Sequence, residues 1–413
     1  MRFVVNIDKH ELNEFVRTHD YAHYMKTSFW AEYKSMTERY LPTYVGIYDN
    51  DKLVGTAILL KKRPWQIMKP YIYIPTGFCV DYSNRDHLDF LLSSVIAYAK
   101  TQKVMFIKID PNVLRCHRTI DGEMINDGFN NEWLTEYLID QGFSHKGYGY
   151  AYNGSWLNRY TLVIDIAKPL SEIVTNFNRS KQNVLKRHEL IGVRSRVGKK
   201  EEIKYLVDFE WELTKTQGFK PHDITFFDTL LASLGENGHF YVTEVDLKRH
   251  ITNLESELSS NKYRKDPEAY QAKQTELKKV SDLLRDHGAK VIIAAGIFVH
   301  YANWSWDLYT YNRKAFSMYK ATDNLHLFAI QDMKERGITN YDMVGFSGVT
   351  VKSDPYFGLY DYKRSFGSTF YEHIGEFDYV FDNKAYRIFK YILFQTKRIR
   401  RKWFSVRYKK IES

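Results

Sequence analysis

Two cysteines, Cys79 and Cys116, are all that the 413 residues contain. With no CxxC pair and no Cys/His zinc spacing, neither a disulfide framework nor a zinc module is written into the chain. Long apolar runs are missing too: no window approaches the roughly 18 to 20 residues that a membrane-spanning helix needs. The opening stretch MRFVVNIDKHELNEF is too polar for a secretory signal. These absences lead us to expect a protein of the reducing cytoplasm whose contact with a membrane, if any, is peripheral. Acidic residues are scarce in one place. Residues 384–413 hold eleven Lys/Arg against the single acid Glu412, so the first 383 residues are neutral and the tail carries the whole net charge of +10.

Aromatic residues are abundant, at 16% with 32 Tyr and 26 Phe. Such rings offer flat apolar area with a hydroxyl, which suits grooves for sugars, nucleotides or peptides. In the tail they alternate with cations, a mixture that fits an anionic lipid surface or a nucleic-acid backbone, or that simply solvates an exposed helix.

A chain of this length is expected to form at least two units. TYVGIYD and KLVGTAILLKKRP read as a hairpin turning at Asp49-Asn50-Asp51. RDHLDFLLSSVIAYAKTQK has helical apolar spacing, and VMFIKIDPNV is a short buried strand stopped by Pro111. A similar series follows residue 160, so the chain reads as a duplicated α/β unit, 1–153 and 154–383, with a basic aromatic tail 384–413. Within the second copy, 246–288 places apolar residues at spacings of three and four, broken by Asp266-Pro267. We expect an antiparallel coiled-coil helical arm there, each helix roughly 16 to 20 residues and about 25 to 30 Å long. Such an arm is a handle for a large partner, or packs on itself, or mediates dimerisation.

Several segments, TSFWAEYK, GFCVDYSN, IKIDPNV, RSKQNVLKR, YDMVGFSG and FGLYDYKRSFGSTFYEHIGEFDYV, occur in an order that resembles the FemABX family of peptidoglycan-bridge aminoacyltransferases, which includes FemX and MurM/MurN-type enzymes. The resemblance implies two tandem N-acetyltransferase-like (GNAT-like) subdomains and transfer of Ala, Ser or Gly from aminoacyl-tRNA. The acceptor it implies is the stem-peptide lysine or growing bridge of a lipid II or UDP-linked muropeptide precursor. It implies no cofactor and no metal. Non-catalytic binding of tRNA or membrane, and transfer to a protein N-terminus or a lipid, remain as alternatives.

The reaction needs an uncharged amine, a positioned carbonyl and positive charge where the oxyanion develops. The family's aromatic–lysine pair matches Tyr362 and Lys363, with Tyr where relatives carry Phe. Lys363 would stabilise the developing charge, unless it lies on the solvent face of a strand. Asp110 matches a family aspartate that would orient the acceptor ammonium and take its proton, or it only caps a turn before Pro111. Lys34, with Trp30 beside it in FWAEYK, matches the lysine that grips the precursor diphosphate. His222 stands where the family has arginine, so its grip is weaker or pH-dependent, or Lys220 substitutes; His222 could instead act as a base. Tyr309 matches a tyrosine of the substrate channel. Arg179, Lys181, Lys186 and Arg187 recur at helical spacing and present cations either to tRNA or precursor phosphates or merely to solvent.

Overall fold

In the computed structural model, which describes residues 1–395 apart from 66, 68, 151–154, 218–219, 261–262 and 264, the periodic runs of the first half become eleven elements. They are β1 (Arg2–Val5), α1 (Lys9–Thr18), α2 (Ser28–Glu38), β2 (Leu41–Asp49), β3 (Lys52–Lys62), β4 (Tyr71–Ile74), β5 (Cys79–Val80), α3 (Arg85–Thr101), β6 (Phe106–Ile109), α4 (Glu132–Asp140) and β7 (Ser144–His145). The hairpin turns at Asn50 and Asp51, both at positive φ, a conformation Asn and Asp tolerate. The second half begins with β8 (Tyr160–Asp165), α5 (Leu170–Asn176), α6 (Arg179–Ile191), β9 (Val193–Val197), α7 (Ile203–Gln217) and α8 (Ile224–Leu234). It continues through β10 (Gly238–Asp246), α9 (Leu247–Ser259), α10 (Pro267–His287), β11 (Lys290–Tyr301), β12 (Trp304–Asn312) and α11 (Ala321–Glu335). It ends with β13 (Asn340–Phe346), α12 (Phe357–Arg364), β14 (Thr369–Glu372) and β15 (Phe377–Val380).

Two sheets result. The first runs β1-β2-β3-β4-β6-β15-β7 with β5 on β3; the second runs β9-β10-β11-β12-β13-β8-β14. In each, the fourth and fifth strands pair parallel, β4 with β6 and β12 with β13, while the remaining neighbours are antiparallel. A long helix precedes each parallel return, α3 in one half and α11 in the other. The duplication expected from the pattern is therefore present in strand order and polarity. One part of the expected division needs correcting: β15 lies within the segment assigned to the second unit but pairs between β6 and β7 of the first sheet. Strand periodicity reports which face of a strand is buried and not which sheet it joins. The expected boundary at 153/154 falls outside the described residues.

The largest apolar cluster spans both halves, uniting Trp30, Tyr33 and Tyr71 with Phe227, Ile297 and Trp306. A shared core of this kind fixes one sheet against the other, so the cleft between them has rigid walls.

The inserted helices α9 and α10 start after Asp246 and Asp266 as the sequence places them, but they are unequal, 13 and 21 residues rather than roughly 16 to 20 each. Asp246 caps α9, Asp266 caps α10 with Pro267 in its first turn, and Gly288 closes it at positive φ. The pair is seated on the second half. Leu247, Leu254 and Val280 are buried in the second core, and Arg249 donates to the backbone of Glu189 and Leu190 on α6. Glu276 gathers Lys273 (2.9 Å), His250 (3.4 Å) and Arg187. Burial pushes its carboxyl up, but His250, Lys273 and Arg187 outweigh burial and hold it at about 2. A depressed carboxyl contributes stability above its unfolded pKa, near 4.3 in model peptides, and loses that contribution as pH falls toward 2. Glu276→Gln is expected to weaken seating of the arm by about 1–3 kcal/mol. Hydrogen exchange along 247–259 at pH 6 should show this as reduced protection, and wild-type protection in the variant would refute it.

The tail is also not wholly an appendage. A helix over 383–395, started by Asp382 accepting from the Lys384 and Ala385 backbone amides (3.0 Å each), lays Tyr386, Phe389, Ile392 and Leu393 on the first core. Its opposite face leaves Ile388, Tyr391 and Phe394 exposed. The rest of the basic tail, 396–413, lies outside the described residues. Among the described residues no helix is long and apolar enough to cross a membrane, and Cys79 and Cys116 are free, buried thiols.

Candidate active site

The cleft between the sheets holds two adjoining cavities of about 300 and 110 Å³. Asn112, Trp306, Asp342 and His373 line both, so these four side chains mark where the cavities meet. The wall from the first sheet carries Asp110, just past β6. The wall from the second sheet carries Trp306 of β12 and Asp342 of β13, the strand that occupies the same place as β6 in its own half.

Lys363 lies beneath the second wall. The run around it, open to a strand reading, forms helix α12, and its side chain is buried rather than solvent-facing. Its ammonium donates to three consecutive carbonyls, Met343 (2.5 Å), Val344 (3.0 Å) and Gly345 (2.9 Å). Those residues form a bulge in β13: between Asp342 and Gly345 the register against β8 slips, and Val344 sits at φ 61°. A β-branched residue in the left-handed region costs on the order of 1–2 kcal/mol and persists only where its surroundings hold it. Burial lowers Lys363 to about 8, against the pull of Asp307 and Asp342. Burial likewise raises Asp342 to about 7 and Asp307 to about 6, each opposed in part by Lys363.

Asp110 accepts from the Tyr73 hydroxyl (2.7 Å) and the Thr76 backbone amide (2.6 Å). Burial raises it to about 8, so it holds its proton at neutral pH. Beside it, Lys108 is 2.9 Å from both Glu376 and Asp378, an ion triad within a strand that is otherwise apolar.

Tyr362 does not share this setting. Successive helix residues point about 100° apart, and the Tyr362 ring turns into the second core, where the Lys181 ammonium lies 4.5 Å from its centroid. Lys181 itself is a correction: it is buried and paired with Asp323 at 2.6 Å, not presented on a cationic surface. Arg187 is drawn to Glu276 of the arm, while Arg179 and Lys186 are exposed. The periodicity of the basic run is real, but it wraps round the helix, so that Leu185 and His188 face the core along with Lys181.

Trp30 and Lys34 border a third cavity of about 640 Å³ with Tyr40, Lys62, Trp65 and Trp156. Lys34 is paired with Glu38 and lies 5.1 Å from the Trp30 ring. His222 and Tyr309 come together elsewhere: the imidazole stacks on Phe226 at 3.9 Å, lies 5.6 Å from Tyr309, and its Nδ1 is 2.8 Å from buried Glu210. With a carboxylate already on its ring, His222 is more occupied than a free phosphate ligand would be. Lys220 is exposed. Of the expected groups, the structure thus places Asp110 in the lining of the cleft and Lys363 behind its opposite wall, and sets Lys34 with Trp30, and His222 with Tyr309, beyond it.

Asp342, Asp307, Trp306 and His373 were not singled out from the sequence. The available signal was a lone carboxylate inside each of two aromatic strand runs, WSWDLYT and NYDMVGF. Charge in such a position must be compensated, and here Lys363 compensates both.

A duplicated two-sheet α/β architecture with a polar cleft along the seam is the class defined by fold and site. The FemAB family model matches residues 7–393, and the chain belongs to that family. A lipid II:glycine glycyltransferase of Staphylococcus aureus (strain USA300) is 25% identical, over 94% of this chain and 95% of that protein. A crystal structure of FemX superposes with a TM-score of 0.77 at 23% identity, covering 94% of this chain and 99% of the other. A conserved protein of unknown function from Bacteroides thetaiotaomicron matches with a TM-score of 0.51 at 12% identity, covering 92% and 98%.

Proposed function

We propose that this protein is a tRNA-dependent aminoacyltransferase that adds Gly, Ala or Ser to the interpeptide bridge, or to the stem-peptide lysine, of a lipid-linked peptidoglycan precursor. The observation that carries the reading is the cleft that Asp110 lines from one wall while Lys363 clamps the bulge of the facing wall from behind, in a chain that matches a lipid II glycyltransferase over nearly the full length of both. Two substrates must meet there, and two adjoining cavities suit a donor ester and an acceptor amine. Each half acts as an acetyltransferase-like subdomain. Asp110 orients the acceptor nitrogen, and Lys363 supplies the positive field at the developing oxyanion while Tyr362 anchors its helix. The Lys34 and Trp30 cavity takes the diphosphate end of the precursor, with Tyr309, His222 and Lys220 at the channel beyond it. Arg179, Lys186 and Arg187, with the helical arm as a coiled-coil handle, meet the tRNA backbone.

Exposed Ile388, Tyr391, Phe394 and Trp65, together with the basic residues beyond 395, hold the enzyme peripherally at the cytoplasmic membrane face where such a precursor resides. Purified protein incubated with a mixture of charged tRNAs and a lipid-linked muropeptide should give a product heavier by one amino-acid residue. No mass change with any charged tRNA would refute the reading. Truncation after Gln395, which spares the packed helix, should abolish salt-sensitive sedimentation with anionic vesicles while leaving transfer to a soluble muropeptide intact. Unchanged sedimentation would remove the membrane role.

A further inference from the structure

The acceptor amine enters the cleft as an ammonium and must lose a proton before it can attack. Asp110 is poorly suited to take it, since burial keeps it protonated at neutral pH and it already accepts from the Tyr73 hydroxyl and the Thr76 amide away from the cavity junction. Across the cleft, Asp342 borders both cavities at their junction. Its Oδ1 accepts from the Val344 backbone amide at 2.7 Å, a bond that exists because the bulge turns that amide back on the strand. The bulge in turn is gripped through three carbonyls by Lys363. A strained, over-determined backbone of this kind at the meeting point of two cavities is a device for aiming a side chain.

We propose that the Lys363-clamped bulge presents Asp342 as the proton acceptor for the attacking amine. This rests on the aminoacyltransferase reading. In the step, Asp342 takes one proton from the ammonium; the freed nitrogen forms the C–N bond at the ester carbonyl; and the C–O bond to the tRNA ribose breaks. The ribose oxygen takes the second proton shed by the nitrogen, and Asp342 returns its own to solvent. The groups facing Asp342 are Lys363 from α12, Asp307 from β12, the Thr161 hydroxyl from β8, Tyr371 from β14, Tyr341 beside it on β13, Tyr24 from the turn after α1, and His373 at the cavity junction. At neutral pH His373, lowered to about 4 by burial, is uncharged, so Lys363 and Asp307 set the local field. A carboxyl titrating near 7 is matched to this task.

The test is the pH–rate profile of wild type and Asp342→Asn with charged tRNA and muropeptide. Asparagine keeps the oxygen that accepts from Val344, so the bulge and the melting temperature should be retained. The expected result is a fall in kcat of about 100-fold or more with KM little changed. The limb near pH 7 should disappear, and the residual rate should climb about tenfold per pH unit, as the amine deprotonates by itself, until Lys363 loses its charge near pH 8. Asp342→Glu should restore part of the rate. An Asn variant within twofold of wild type, or one that keeps the limb near pH 7, overturns the assignment alone. A wild type inactive with every charged tRNA overturns the underlying function as well. As a readout independent of turnover, carboxyl carbon NMR should show a titration near pH 7 that is absent from Asp342→Asn, and no such titration would also refute the proposal.

Discussion

Lys363→Met is expected to lower transfer by at least about 100-fold while the protein stays folded. Methionine matches the length of the lysine stem but brings no donors. Three carbonyls of the bulge then lose their partner. An unsatisfied buried polar group costs about 1–3 kcal/mol, and the strain at Val344 adds to the reasons for that segment to rearrange. At the same time Asp307 and Asp342 lose their counter-ion, so both carboxyls should rise further and Asp342 should be protonated at neutral pH. Positive field, aim and protonation state are lost in one substitution. Steady-state transfer with product mass, read beside a thermal melt, checks it; near-normal turnover would mean that the ammonium is only a structural clip. The sign of the pH effect follows from the same groups. Lys363 is lowered to about 8, so its charge fades above that pH, whereas Asp342, raised to about 7, loses its basic form below it. Wild-type activity should therefore be greatest between about pH 7 and 8, the two limbs belonging to the coupled set of groups.

The largest loss of stability is expected from Lys108→Met. Its ammonium lies 2.9 Å from Glu376 and 2.9 Å from Asp378, with all three side chains almost fully buried. Removing the cation shared by both acids leaves buried charge only partly compensated, at a cost of about 3–5 kcal/mol. Two further contacts depend on these acids: Lys146 is 2.5 Å from Asp378, and the Trp156 backbone amide donates to Glu376. Burial lowers Lys108, but Asp378 and Glu376 outweigh it and raise the group above its usual value. Asp378 is lowered, because Lys108 and Lys146 outweigh its burial. A raised lysine contributes in full below its unfolded pKa, and a depressed carboxyl in full above its own. The cluster therefore stabilises the fold across the neutral range, weakening in acid as Asp378 protonates and in alkali above the ordinary lysine pKa. Chemical denaturation of the variant at pH 7 should show the loss, and a midpoint equal to wild type would contradict it.

What could be read from the sequence was whatever depends on neighbours along the chain. The helix bounds at Asp246, Asp266-Pro267 and Gly288 follow from capping chemistry, which is local. The β2–β3 turn follows from Asn50 and Asp51 for the same reason. Lys363 was found because a family motif carries it, and its burial agrees with the crowd of rings around it. Facts that depend on distant partners were not legible. Nothing in RSKQNVLKR states that Lys181 meets Asp323, 142 positions away, or that Arg187 meets Glu276. Tyr362 is adjacent to Lys363 in sequence but not in direction, a consequence of helical pitch once the segment is known to be helix and not strand. Asp342 escaped notice because its role arises from one extra residue in a strand, and a bulge leaves no mark in alternation until the partner's register is known.

The placement of β15 has a consequence for how the polypeptide comes into being. The gap between β6 and β7 can be filled only by residues 377–380, so the amino-terminal sheet stays open while some 230 residues are still to leave the ribosome. Its mate across the seam waits almost as long, because β8 pairs only with β13 and β14, which are made near the end of the second half. Both sheets are therefore closed together by the adjacent strands β14 and β15, so a copy terminated before them would carry unpaired strand edges in each half, exposed to aggregation.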